Sequence, residues 1–264
     1  MSNADVVLAK QAEGVMTLTL NRPDRMNAWT DEMEQRFFDL VDAADDDPDI
    51  RAIIVTGAGR GFCPGMDASV LEQRASKRSG PVVRERPMTH LLSCRKLTVA
   101  AINGGCAGLG LVVALCCDVR YASANARLST AFTRRGLAPE FGAGWLLTRI
   151  VGAAHATDLI VSGRVIGAEE AATMGLVNDA VPHDDLMTVA LDYARDVAAN
   201  CSPRAIAYAK ADLLADWTRS REDADRDADA IYARPGHVED FREGIASFVD
   251  KRPPRFEPLG PRAG

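Results

Sequence analysis

The chain has 264 residues, 47% of them hydrophobic, and 31 basic against 37 acidic side chains give a formal net charge of −6. That length suits one domain of about 200 residues plus an appendage, and an acidic balance without a basic, aromatic-interleaved stripe argues against a nucleic-acid partner. No apolar run approaches the roughly 18 residues of a membrane span, and MSNADVVLAK carries no signal-peptide core, so the cytoplasm is the expected compartment.

In chain order, VVLAK and VMTLTL read as strands, followed by a helix from about Asp31 to Ala44. Next come the strand RAIIVTG, a helical stretch from Ala68, the strand LTVAAIN, a helix from Gly108 and the strand DVRYA. The short β-branched runs and the helical spacings carry these readings. Between Gln73 and Met88 the sequence is charged, contains Gly80, Pro81 and Pro87, and has no clear period. It is expected to be a loop, either a solvated connection or a lid. After about Leu137 nearly everything reads as helix, interrupted by the strand-like LVNDAV. Pro253 and Pro254 stop the last helix, and RFEPLGPRAG is expected to be a loose tail. The cysteines, Cys63, Cys94, Cys106, Cys116, Cys117 and Cys201, form no CxxC pair, and only 4 histidines are present. Buried free thiols are expected, and no metal site.

Two glycine-centred turns carry the first chemical signal. RGFCPGMD (Arg60 to Asp67) and INGGCAGLG (Ile102 to Gly110) each follow a strand-like run and lead into an apolar stretch, where a buried strand hands over to a helix. Helix starts expose unsatisfied N–H donors and a positive dipole end, which suit a developing oxyanion. Taken singly, each turn is equally explained by tight turning and helix–strand packing. The glycine spacing of INGGCAGLG does not fit a dinucleotide-binding loop, and GxSxG, Walker and HExxH motifs are absent.

Six segments, in order, resemble the crotonase (enoyl-CoA hydratase/isomerase) superfamily. They are NRPDRMNA (Asn21 to Ala28), VTGAGRGFCPGMD (Val55 to Asp67), Ala100 to Ala122, GLAPEFGAGWLLTRIVG (Gly136 to Gly152), Ser162 to Val181, and EDFREGIASFVDKRPPRF (Glu239 to Phe256). The resemblance implies an α/β fold, a spiral of ββα units over residues 1–200, with a helical region over 201–264 that builds trimers or hexamers and completes the coenzyme A site. It implies an acyl-CoA thioester as substrate, with no cofactor beyond the coenzyme A that the substrate carries. It places oxyanion donors at the N–H groups of Met66 and Leu109. The thioester would be held by Arg25, Ala28, Gly65, Asp67 and Gly108, with Phe248 and Lys251 added from the last helix, which a neighbouring subunit can supply. Arg25 and Lys251 would meet the phosphates; without the resemblance, both read as solvated surface charges. Asp67, at a helix start, reads equally as an N-cap, and Asp118 as structural.

The chain departs from the hydratases of that family. Their two water-activating glutamates fall here on Val112 and Phe132, which can neither accept a proton nor orient water. Glu140, in LAPEFGAG, instead resembles the single glutamate of peroxisomal-type enoyl-CoA isomerases. Set among Phe132, Phe141 and Trp145, it is expected to be desolvated; the plain alternative is a first-turn helix glutamate. The expected activity is therefore a Δ3-to-Δ2 enoyl-CoA isomerase with Glu140 as the shuttling base. An atypical hydratase and a non-catalytic acyl-CoA binder are the alternatives.

Overall fold

The computed structural model describes residues 6–76 and 84–262. Ten strands and ten α-helices are found among them. β1 (Val7–Ala12) and β2 (Val15–Leu20) form a hairpin, and α1 (Asp31–Asp46) follows, capped by Thr30, whose hydroxyl accepts from Met33 N. Three chain turns then repeat one plan. β3 (Ala52–Gly57) leads to β4 (Gly61–Cys63) and α2 (Ala68–Ser76); β5 (Leu97–Ile102) leads to β6 (Gly105–Ala107) and α3 (Leu109–Leu115); β7 (Val119–Ser123) leads to β8 (Arg127–Ser129). The first strand of each pair joins a six-stranded sheet and the second a four-stranded one. The remaining elements are α4 (Ala143–Ile150), α5 (Gly152–Ser162), β9 (Ile166–Gly167), α6 (Ala168–Thr173), β10 (Asp179–Val181), α7 (Leu186–Asn200), α8 (Pro203–Asp216), α9 (Arg221–Asp229) and α10 (His237–Asp250).

The larger sheet has the order β1-β2-β3-β5-β7-β10 and is parallel from β2 onward; the smaller has the order β4-β6-β8-β9. β3 and β5 are buried along their whole length, and their alternate residues serve two cores. Ile53, Val55, Ala100 and Ile102 face α1, α3 and the smaller sheet, whereas Ala52, Ile54, Val99 and Ala101 face Leu186, Ala190 and Ala194 of α7. A strand buried on both faces must be apolar at every position, which is why RAIIVTG and LTVAAIN read as continuous runs. The spiral of ββα units is thus present. The second strand of each unit, three residues long, was too short to read from periodicity.

Two expectations need correction. Gln73 to Ser76 are the last turn of α2 and not loop, residues 77–83 of that segment lie outside the described residues, and the chain from Arg84 is tied down. Arg84 pairs with Glu34 at 3.2 Å and Arg86 with Asp39 at 2.7 Å, both on α1. The tail after Lys251, in turn, is irregular but not loose. Arg51 donates to Phe256 O, Arg95 to Gly260 O, and Arg262 reaches Asp42 and Asp46 of α1. Arg51 and Arg95 from outside the tail, and Arg262 within it, hold it in place.

Candidate active site

The two glycine turns meet. Gly65 has φ +105°, and a Cβ there would stand 3.1 Å from Ala107 O and 3.5 Å from Leu109 N; a Cβ on Gly108 would stand 3.9 Å from Gly65 Cα. Only glycine lets the turns approach this closely in these conformations. Trp29 N donates to Gly65 O and Asp67 N donates to Trp29 O, so this bridge skips Met66 and turns its N–H to the opposite side. Leu109 opens α3, where the first N–H has no intrahelical acceptor. Among the described residues, neither amide donates to a protein acceptor. The expected pair of donors therefore lies side by side, both residues lining a cavity of about 350 Å³.

Behind this wall the packing leaves no slack. A Cβ on Gly110 would stand 2.1 Å from Cys63 O, so α3 presses directly on β4. Asn27 is fully buried and donates to Ala58 O and Gly61 O, fixing the loop that carries Arg25 and Ala28. Cys63, Cys94, Cys106, Cys116 and Cys117 are free and buried. Burial pushes the Cys63 and Cys94 thiols up to about 12, so neither is a nucleophile at neutral pH. Cys201 is free but exposed, against the expectation of burial.

Asp67 lines the cavity as a structural carboxylate. It caps α2 by accepting from Ser69 N and Ser69 Oγ, and it pairs with Arg22 at 2.9 Å. Burial alone would raise its pKa, but the Ser69 and Arg22 hydrogen bonds hold it below the ordinary value. The N-cap reading of Asp67 therefore holds. Asp118 is structural too, accepting from Thr98 N and Oγ1 and pairing with Lys210 at 2.6 Å.

The other wall is the segment from Thr130 to Phe141. Its first part is pinned to the end of α5: Ser129 Oγ donates to Gly163 O, Thr130 Oγ1 to Leu159 O, Thr133 Oγ1 to Ile160 O and Arg134 Nε to Ser162 O. Side chains thus satisfy carbonyls that a helix end leaves unpaired. Beyond it the wall is exposed from Thr133 to Glu140. Ala131 and Phe141, both lining the cavity, have φ of +58° and +59°, an uncommon conformation for residues with a side chain.

Glu140 lines the cavity with Phe132 and Phe141, but it is exposed, and no hydrogen bond reaches its carboxylate among the described residues. The expected desolvation is absent. Trp145 does not contribute to it, because it packs on Trp217 with ring centroids 4.7 Å apart, under Arg149. Val112 is buried in the core and Phe132 is 5% exposed, and neither is an acid. Arg25, Ala28, Gly65 and Gly108 line the cavity as expected. Phe248 and Lys251 do not: Phe248 is 82% exposed on α10, and Lys251 follows that helix with φ +53°. Sequence reasoning missed Arg135 and Thr130, which also line the cavity. Nothing in the sequence separates Arg135 from Arg134, which is used instead to cap α5.

The enoyl-CoA hydratase/isomerase family model matches residues 10–258. The chain belongs to that family. It is 33% identical over 270 residues to the 1,2-epoxyphenylacetyl-CoA isomerase of Escherichia coli (strain K12), covering 96% of this chain and 98% of that one. It is 32% identical to the enoyl-CoA hydratase ACTT3 of Alternaria alternata over 257 residues, 93% of this chain and 84% of the relative. The crystal structure of an enoyl-CoA hydratase from Bacillus anthracis superposes with a TM-score of 0.85 at 28% identity, covering 96% of this chain and 99% of the other. This crotonase-fold chain is therefore an enzyme of the hydratase/isomerase family, and an acyl-CoA thioester substrate is consistent with that family. Among the described residues, no helix is long and apolar enough to cross a membrane.

Proposed function

We propose that the protein is a Δ3-to-Δ2 enoyl-CoA isomerase. The Met66 and Leu109 N–H groups receive the thioester oxygen, so the C2–H bond of a 3-enoyl thioester becomes acidic. The Glu140 carboxylate takes that proton, leaving a dienolate whose charge rests on the oxygen between the two amides. Glu140 then returns the proton to C4, the thioester carbonyl re-forms, and the double bond has moved from between C3 and C4 to between C2 and C3. One carboxylate serves both transfers, and no metal or redox cofactor is called for.

The observation that carries this reading is the state of the carboxylates lining the cavity. Asp67 is committed to Ser69 and Arg22, whereas Glu140 has no partner among the described residues, and Val112 and Phe132 replace the pair that would activate water. The Escherichia coli relative named as an isomerase agrees with it. Relatives named as hydratases, and the exposure of Glu140 to water, support the second reading, an atypical hydratase. Turnover of 3-enoyl-CoA against 2-enoyl-CoA by purified protein separates the two. Activity on 3-enoyl-CoA with little water addition is expected; the reverse preference contradicts the isomerase, and no turnover on either leaves an acyl-CoA binder.

We assign the exposed apolar side chains of the carboxyl-terminal helices, Leu213, Phe241, Ile245, Phe248 and Val249, to self-association into a trimer or hexamer. Such assembly would bring Phe248 and Lys251 to a neighbouring subunit's coenzyme A, with Arg25 of that subunit on the phosphates. The cytoplasm is the compartment proposed for it.

A further inference from the structure

Two arginines line the cleft without an ion pair among the described residues, Arg25 and Arg135. They stand on different segments. Arg25 precedes the oxyanion turns and has a part in the coenzyme A reading, but Arg135 has none. It lies five residues before Glu140 on the same wall. On the proposed mechanism, a base that takes a proton from C2 and returns it to C4 lies along the acyl group, which puts its wall, Arg135 included, on the acyl side of the cleft.

Charge in the cleft is unbalanced. The surplus belongs to the cleft as a whole: the Asp67 carboxylate is answered by Arg22, Arg135 and Glu140 stand unpaired on one wall, and Arg25 stands unpaired on the other among the described lining residues. Behind Phe141, Arg84 stacks with its guanidinium carbon 5.0 Å from the ring centroid, and its Nη2 is buried without an acceptor. A plain hydrocarbon acyl chain would offer the Arg135 guanidinium, which is exposed, nothing to bond. A carboxylate would instead meet the planar fork of an arginine with two parallel hydrogen bonds.

Building on the acyl-CoA reading above, we infer that Arg135 receives a carboxylate at the far end of the acyl group. The cleft then selects thioesters of dicarboxylic acids over their unsubstituted counterparts. Arg135 acts here as a specificity-determining residue and takes no part in proton transfer.

Calorimetric titration with glutaryl-CoA and pentanoyl-CoA tests this, because the two have equal carbon counts, differ in the terminal carboxylate and offer no double bond to turn over. The unmodified protein should bind glutaryl-CoA about tenfold or more tightly. Arg135→Ala should abolish that preference while changing pentanoyl-CoA affinity by less than about twofold, and Arg135→Lys should restore part of it as a point charge. Equal affinities in the unmodified protein would overturn the inference. A parallel loss of affinity for both thioesters and for free coenzyme A in Arg135→Ala would overturn it too, assigning Arg135 to a phosphate. Failure of all three to bind the unmodified protein would instead remove the acyl-CoA reading on which the inference rests.

Discussion

The two walls of the cleft are made of different material. The oxyanion wall is backbone, its amides presented by turns that touch at Gly65 and Gly108 and held by α3 pressing on β4 at Gly110. The facing wall is side chain: Phe132, Arg135 and Glu140 stand on an irregular segment held at its start by the end of α5 and at its finish by Ala143 N, which donates to Glu140 O. A backbone donor is insensitive to which side chain it carries, so the first wall keeps its chemistry as the sequence changes. The second wall changes its chemistry with every substitution. On the proposed mechanism, the fold supplies stabilisation of the enolate oxygen, and the exposed wall decides where protons go and which acyl groups fit.

Breaking the backbone wall should have the largest effect. Gly110→Val places carbon against Cys63 O with no room to relax, because the obstruction is main chain. It should cost about 3 kcal/mol or more, read by chemical unfolding. A smaller loss comes from the support of that wall. Asp67→Asn removes the charge that Arg22 answers, and about 2 kcal/mol of stability should go with it at neutral pH. The pH dependence follows from the lowered pKa of Asp67: its contribution is present above the ordinary value of 3.8 and is lost as pH falls through the lower folded value. Unfolding curves of the two proteins should therefore differ at pH 7 and converge in strong acid. The smallest effect should come from Met66→Leu, which keeps the volume and the donating N–H. Stability should change by less than about 1.5 kcal/mol and turnover by no more than about threefold; a hundredfold loss would mean that the Met66 side chain, not its backbone, does the work.

The same division governs what the sequence disclosed. The long buried strands, β3 and β5, and the glycine turns were legible because a doubly buried strand must be apolar throughout and a close backbone approach demands glycine. β4, β6 and β8 span three residues each and cannot show a period. Glu140 was legible as a lone carboxylate in a family pattern, but its exposure was not, because burial depends on how far the segment from Thr133 to Glu140 departs from the packed core. Trp145 was misplaced for the same reason: its partner Trp217 is 72 residues away in the chain. The ordered tail escaped notice because its partners, Arg51, Arg95 and the Asp42 and Asp46 that meet Arg262, lie far from it in sequence. Arg135 looked like any charged residue until the cavity gave it a place.

The central claim is that one carboxylate on the side-chain wall performs the chemistry that the backbone wall makes possible. Glu140→Gln tests it most directly, since the amide keeps the shape and loses the base. Steady-state turnover of 3-enoyl-CoA should fall about a hundredfold or more, with acyl-CoA affinity nearly unchanged. Isomerisation that survives Glu140→Gln at close to the original rate would contradict it.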